Sequence, residues 1–488
     1  MRGLRRSRTG EAIANALRMK FQFTVNVKDQ RTDGRLGEVL SGADVDDGDV
    51  STLPSPALLV PTSKGEHATL TMDVLADVEK RLLSVLFYKR GEKKVIDETT
   101  RLFGTLVVGG HFVEKRARGG KRARERDGEE NGGEEPTGAT AETETEAGEA
   151  TAVAARGPPA RRLTVGHYRD PMFFGVNAQS RGGAGLLCDT PFGQKMMTPE
   201  EYSRLWSGDA HVACALADEH AGWENEKKSK TAAIRTCEWL DVCVRESKAN
   251  DVPLWGVVLG GSSHEVREEC SKNVAERDDD LTGYVIGGFY AGEAPHERGG
   301  LINAALVHVP QQKPRYLPGP ATVEEIVDFI ERGIDIFDAT WASETASRGR
   351  AFVFPIRKED LASDVEDEWV QPSAGTDAYS INLWSTSYKK DFSPFIDKTA
   401  RAEACACPAC SEHTRAYVHH LLQAHEMTSQ VLLEAHNLYH LASFFAEARR
   451  ALRCGEWSEF AAFHRKYAQK ACAKLEPSVL PAAAAAAV

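Results

Sequence analysis

The chain has 488 residues, 42% hydrophobic and 8% aromatic, with a formal net charge of -12. This fits a globular protein with one large domain and attachments. It excludes a simple basic nucleic-acid glue, though not a local basic groove, because net charge averages over the whole surface. No apolar run approaches the roughly 20 residues that span a bilayer.

Taken from the start, Met1 to Arg8 is rich in arginine and carries no acid before Glu11. Two readings fit it, a basic tail and a mitochondrial presequence. Cytoplasm is therefore the expected location, with mitochondrial association as the variant. The first strand candidate is Ala57–Pro61. From about Glu114 to Arg162 the chain is basic, then rich in Glu, Gly, Thr and Ala, with almost no large apolar residue. Such a segment buries too little surface to offset its chain entropy and is expected to be a disordered linker.

Beyond the linker, further strand candidates are Met172–Val176, His211–Leu216, Leu254–Leu259, Gly283–Ile286, Arg315–Leu317 and Ile334–Phe337. Most are almost wholly apolar, as strands covered on both faces must be. Helices are expected between them. The clearest is Thr322–Ile330, with Thr322 as cap, Glu325 three residues on and Gly333 beyond its end. Repeated β/α units imply a parallel sheet, and their number suggests a closed (β/α)8 TIM barrel rather than a doubly wound open sheet. No Gly-rich dinucleotide fingerprint opens the chain.

Three features on the presumed C-terminal rim of such a barrel are candidates for chemistry. Asp338 ends the Ile334–Phe337 strand, where a carboxylate serves as nucleophile or base, or simply caps a helix. Gly287 and Gly288 follow a buried strand, where they admit a flat ligand or make a tight turn. Asp218 and Glu219 follow the His211 strand.

Ten cysteines do not make a disulfide scaffold in a chain of this length. Cys214, Cys237 and Cys243 lie singly in apolar segments and read as buried free thiols. The group Cys405-x-Cys407-x-x-Cys410 is different. Three thiolates so close together need a cation, and Zn2+ prefers soft donors in a tetrahedral shell. A fourth ligand must come from elsewhere. His436 lies on a helix with Leu432, Ala435, Tyr439 and Ala442 on its buried face, while His413, His419, His420, His425 and His440 compete with it. A closed Cys3His shell leaves no open position, so the metal would be structural.

Together these residues resemble the tRNA-guanine transglycosylase family. The resemblance implies a barrel with a zinc subdomain inserted near its C-terminus, and it selects His436 as the ligand that completes Cys405, Cys407 and Cys410. Similar segments run from about Pro54 to Leu452, including Trp255–Gly261, Gly283–Gly288 and Arg332–Asp338. The zinc spacing and the order of segments are specific; each barrel segment alone is weak. The family exchanges guanine for a 7-deazaguanine base at the tRNA wobble position, through an aspartate that attacks the ribose and a second aspartate, in an Asp-Ser-Gly-Gly-Phe-Gln loop, that acts as base.

Here Asp338 matches the nucleophile and Asp218, Gly287 and Gly288 match the base pocket. The base loop is missing, and the corresponding region is Asn177–Gly183. The Thr-Arg and further Arg that hold the anticodon are replaced by Ser343, Glu344 and Ser347. The glutamine that reads the base is replaced by Leu259. A carboxylate in place of a guanidinium repels phosphate. The pattern is therefore similar to the family's non-catalytic accessory branch, in which Asp338 is a vestigial nucleophile. The implied partners are a catalytic subunit, tRNA and, in an eroded pocket, queuine. The expected units are a basic tail (1–19), barrel (20–113), linker (114–162), barrel (163–400), zinc-binding helical subdomain (401–475) and low-complexity tail (476–488). A self-sufficient transglycosylase and a zinc-stabilised tRNA-binding protein are the rival readings.

Overall fold

A computed structural model describes residues 21–28, 34–41, 51–62, 69–70, 72–88, 103–108, 163–168, 179–180, 184–190, 193–206, 210–219, 225–360, 379–396 and 405–474. The expected tails, the linker, the Met172–Val176 strand and all of the Asn177–Gly183 region but Gln179 and Ser180 lie outside these residues.

Three antiparallel strands come first: β1 (Phe21–Lys28), β2 (Arg35–Ser41) and β3 (Ser51–Ser55). The chain then enters the barrel through β4 (Ala57–Thr62), passes helix α1 (Met72–Tyr88), and continues through β5 (Phe103–Val108) and β6 (Thr164–His167). A short antiparallel sheet, β7 (Gln179–Ser180), β8 (Leu186–Thr190) and β9 (Gly193–Met197), precedes helix α2 (Pro199–Leu205). Strand and helix then alternate through β10 (Val212–Cys214), α3 (Glu226–Asn250), β11 (Leu254–Val258), α4 (His264–Ala275), β12 (Gly283–Ile286), α5 (Pro295–Leu306), β13 (Arg315–Leu317), α6 (Val323–Glu331), β14 (Ile336–Asp338) and α7 (Thr340–Ser347).

Strands β4, β5, β6, β10, β11, β12, β13 and β14 hydrogen-bond in that order, all parallel, and β14 pairs with β4 to close the ring. Every residue of β10 to β14 is buried, which is why these segments read as continuous apolar runs. β12 and β13 coincide with the expected runs and β4 extends one residue further, whereas β10, β11 and β14 are shorter than the runs that announce them. β10 keeps Val212–Cys214 of His211–Leu216, and β14 starts two residues later than expected and ends on Asp338. The displaced Asp335 is fully buried at the opposite end, where Arg35 of β2 forks onto both of its oxygens at 2.5 and 2.6 Å and donates to Lys313 O at 2.8 Å. The β1–β3 sheet is thus tied to the N-terminal face of the barrel.

α6 starts as its sequence signals. Glu325 accepts from Thr322 N–H at 3.0 Å, and Gly333 leaves the helix with φ 89°.

The rest of the chain forms an annex. β15 (Arg350–Phe352) pairs antiparallel with β16 (Ser380–Asn382). Helices α8 (Pro408–Glu412), α9 (Arg415–Gln423), α10 (Thr428–Cys454) and α11 (Trp457–Lys474) follow. α10 packs against α1, α7 and β15, so it shares one apolar core with the barrel. No helix among the described residues is long and apolar enough to cross a membrane.

Candidate metal centre and barrel rim

The ligand atoms of Cys405, Cys407, Cys410 and His436 all lie within 4.8 Å of one another. Two local devices make the thiol group. Pro408 starts α8, and the Cys410 N–H donates to Cys407 Sγ at 3.2 Å, folding the knuckle back on itself. Arg81 of α1 donates to Ser411 Oγ at 2.9 Å and pairs with Glu412 at 3.1 Å, fastening α8 to the barrel.

His436 is fully buried on α10. One ring nitrogen, Nε2, is 2.8 Å from the carbonyl of Phe352 and must carry the proton to bond it. That leaves the lone pair of Nδ1 facing Cys407, Cys410 and Cys405 at 3.3, 3.4 and 3.8 Å. A histidine whose far nitrogen is held by a carbonyl is the usual arrangement of a metal ligand. Among the rival imidazoles, His419 bonds Leu383 O at 2.8 Å, His440 bonds Phe354 O at 2.9 Å, and His413 stacks on Tyr417.

Electrostatics favour a cation here. Burial pushes the Cys407 thiol far up, whereas hydrogen bonds from Cys405 and Cys407 hold Cys410 well below the ordinary thiol range. Burial also opposes a charge on His436, but the Cys410 thiolate and hydrogen bonds with Cys405 and Cys410 push it up to about 10. The cluster thus sets the Cys410 thiolate against a proton on His436, and a metal ion would displace that proton and use the Nδ1 lone pair. Three sulfurs and one nitrogen with a fixed tautomer suit a tetrahedral soft ion such as Zn2+. With all four positions taken by protein, such an ion would supply cross-linking and no Lewis acid to a substrate.

The site is part of a larger seam. Phe352, Phe354 and Ile356 alternate along one edge, and their carbonyls meet His436, His440 and His464 at 2.8, 2.9 and 3.2 Å. Asn437 Oδ1 accepts from Phe352 N–H at 2.9 Å, and its amide donates to Arg350 O at 3.0 Å. Sequence reasoning missed Asn437 and considered His440 only as a rival metal ligand. The available signal was their position beside and one turn beyond His436 on the apolar face of one helix.

The rim residues form two groups. Asp218, Glu219, Leu259 and Gly288 line one cavity of about 30 Å³, room for about two water molecules. Arg235 pairs with Asp218. Glu219 accepts from Gly288 N–H and from Tyr168 Oη at 3.1 Å. Gly288 has φ 70°, and a Cβ on Gly287 would stand 2.9 Å from Leu259 Cδ2, so both glycines have local reasons to lack a side chain. Arg267, also missed by the sequence reading, is fully buried and donates to the carbonyls of Gly261, Gly287 and Gly288 at 2.8, 3.1 and 3.0 Å.

Asp338 does not line that cavity. Its carboxylate is buried and accepts from Gly319 N–H at 2.7 Å, Tyr316 Oη at 3.0 Å and Thr340 N–H at 3.0 Å. Burial raises it to about 6 in spite of these donors. On the following helix, Ser343 Oγ bonds the buried Glu434 of α10 at 2.5 Å. Glu344 pairs with Arg348 at 3.4 Å, and Ser347 Oγ donates to Glu344 O at 2.8 Å.

Comparison with known proteins agrees with this geometry. The family described as queuine tRNA-ribosyltransferase matches residues 176–469, more than half of the chain and inclusive of all four metal-site residues. The queuine tRNA-ribosyltransferase accessory subunit 2 of Xenopus laevis is 29% identical over 297 residues, covering 56% of this chain and 68% of that protein. The accessory subunit 2 of Gallus gallus is 29% identical over 289 residues, covering 54% and 66%. The queuine tRNA-ribosyltransferase of Lachnospira eligens is 30% identical over 274 residues, covering 54% and 64%. With a matched segment that spans both the barrel strands from β10 onward and the Cys3His cluster, the chain belongs to the queuine tRNA-ribosyltransferase family.

Proposed function

We propose that the chain is the non-catalytic subunit of a queuine tRNA-ribosyltransferase heterodimer, which exchanges guanine for queuine at the wobble position of tRNAs with GUN anticodons. The reading includes a full (β/α)8 barrel, one structural Zn2+ held by Cys405, Cys407, Cys410 and His436, and a cytoplasmic location.

One observation carries it: the helix after Asp338 is used for packing rather than for RNA. Ser343 is committed to Glu434 inside the fold, and Glu344 and Ser347 present no cation where the catalytic relatives are expected to present arginines. Asp338 supports the same reading, since a nucleophile with three hydrogen-bond donors around it and little exposure is poorly placed to attack a ribose. Asp218, Gly288 and Leu259 line the small rim cavity, which fits an eroded base pocket in which Leu259 offers no hydrogen bond to a purine edge.

The annex supplies a docking face. Around α9, Met427 and Phe392 are 83% and 77% exposed and Tyr417 is 41% exposed. The Phe392 segment is fixed to α9 by Arg415 N–H to Ser393 O and Ala416 N–H to Asp391 O, at 2.9 and 2.8 Å. Large apolar side chains held out on a rigid surface mark an interface, and the partner expected there is the catalytic subunit. The zinc would hold this face together. Queuine exchange should be absent with the purified chain alone and appear on adding the catalytic partner. Full exchange by the isolated chain would overturn the reading. The rival of a self-sufficient enzyme is supported by Asp338 at the rim and predicts a covalent tRNA adduct on that residue.

A further inference from the structure

Two cysteines outside the metal cluster lie on facing helices. Cys237 on α3 and Cys270 on α4 line the same groove, a cavity of about 290 Å³ whose walls include Ile234, Asp241, Val266 and Arg277. Their thiols hydrogen-bond to each other. Cys237, expected from the sequence to be buried and solitary, is only half-buried and therefore open to solvent through the groove, whereas Cys270 forms its floor. Cys270 Sγ also accepts the Leu259 N–H at 3.4 Å. The hydrogen bond from Cys237 holds Cys270 below the ordinary thiol range, against its burial, and the same bond pushes Cys237 up. The two thiols are thus coupled across the groove, with Cys270 the one held toward the thiolate. Cys214 and Cys243 are buried thiols whose ionisation burial opposes.

We propose that Cys237 and Cys270 are a peroxide-responsive dithiol that closes to an intramolecular disulfide. Hydrogen peroxide is small enough for the groove. The Cys270 thiolate attacks one peroxide oxygen, the O–O bond breaks, and the departing hydroxide takes a proton from solvent to become water. The Cys270 sulfur is then a sulfenic acid. The Cys237 sulfur attacks it, losing its proton as the S–S bond forms, and the hydroxide that leaves Cys270 accepts that proton. The sum is one peroxide reduced to two waters and two thiols oxidised to one disulfide. The bond draws the sulfurs from hydrogen-bonding distance to about 2.05 Å. Cys270 must move toward α3 and away from the Leu259 N–H. It carries with it the helix that bears Arg267, whose guanidinium holds Gly261, Gly287 and Gly288 at the rim. Oxidation on the outside of the barrel is thereby coupled to the pocket at its mouth.

The test uses the zinc-loaded full chain. It is treated with graded hydrogen peroxide, its remaining thiols are alkylated under denaturing conditions, and the unreduced peptides are mapped by mass spectrometry. Cys454 is exposed and serves as the internal measure of dose. A Cys237–Cys270 link should form roughly tenfold faster than Cys454 oxidises, because thiolate rather than thiol reacts. Cys237→Ser should stall the reaction at a Cys270 sulfenic acid that dimedone traps. The linked form should show faster amide exchange at Leu259. Oxidation of Cys454 while Cys237 and Cys270 both remain alkylated would overturn the dithiol, and an unchanged Leu259 amide in the linked form would overturn the coupling to the rim.

Discussion

Replacing His436 with alanine removes two things at once: a ring N–H bonded to a buried carbonyl and a nitrogen aimed at three sulfurs. His440 separates them. It sits four residues along the same face of α10, is also buried, and makes the matching bond to Phe354 O at 2.9 Å, but it is not part of the cluster formed by Cys405, Cys407, Cys410 and His436. Each alanine therefore orphans one carbonyl, at a cost of about 1–3 kcal/mol, and leaves a similar cavity. Only His436→Ala also breaks the metal shell. Loss of a mere outer-shell partner costs a metal site about 10–100-fold in affinity, or about 1.4–2.7 kcal/mol, so loss of a direct donor should cost at least that. His436→Ala should be less stable than His440→Ala by about 1.4 kcal/mol or more in urea denaturation with zinc present. The gap should close in chelator, and zinc content should fall from one per chain for His436→Ala alone. A His436→Ala protein that keeps its zinc, or a gap that survives chelation, refutes the Cys3His assignment.

Asp338 gives a pH prediction. Its folded value of about 6 lies above the ordinary 3.8, so the native state binds the proton more tightly than the unfolded chain. The stability this contributes is full below about 4 and is lost as pH rises through about 6, by at most about 3 kcal/mol. Asp338→Asn should flatten that decline relative to the parent chain in denaturation at pH 4.5 and 7, and in the heterodimer it should leave the rate of queuine exchange within about twofold; loss of exchange would restore Asp338 as nucleophile. Glu344→Arg should raise the affinity of the isolated chain for tRNA and steepen its salt dependence by about one phosphate contact, read by filter binding at several salt concentrations. Phe392→Asp with Met427→Lys, both at exposed positions, should change stability by less than about 0.5 kcal/mol each yet abolish co-elution with the catalytic subunit.

Much of the site was legible because its signals are local. Cys405, Cys407 and Cys410 fall within six residues, and thiolates at that density need a cation whatever surrounds them. The barrel strands from β10 to β14 announced themselves as apolar runs because both of their faces are covered. β5 and β6 were absent from the strand candidates. β6 is only Thr164–His167, with Val165 its one large aliphatic residue, and a run so short carries no pattern. The residues alone left six histidines in contention for the fourth metal position; the family resemblance selected one, and the tertiary structure supplied the reason.

That reason marks the division between the two kinds of information. The sequence determined the donor types, the α/β alternation and the absence of a cation at Ser343, Glu344 and Ser347, since each is a property of residue identity or of neighbours along the chain. Only the tertiary structure decided that Phe352 O fixes the tautomer of His436 from 84 residues away, that Ser343 is spent on Glu434 at 91 residues, and that Cys237 and Cys270 line one groove from two helices. Hydrogen bonds depend on distances of about 3 Å, and a sequence sets such distances only once the hydrophobic core has brought its helices and strands together.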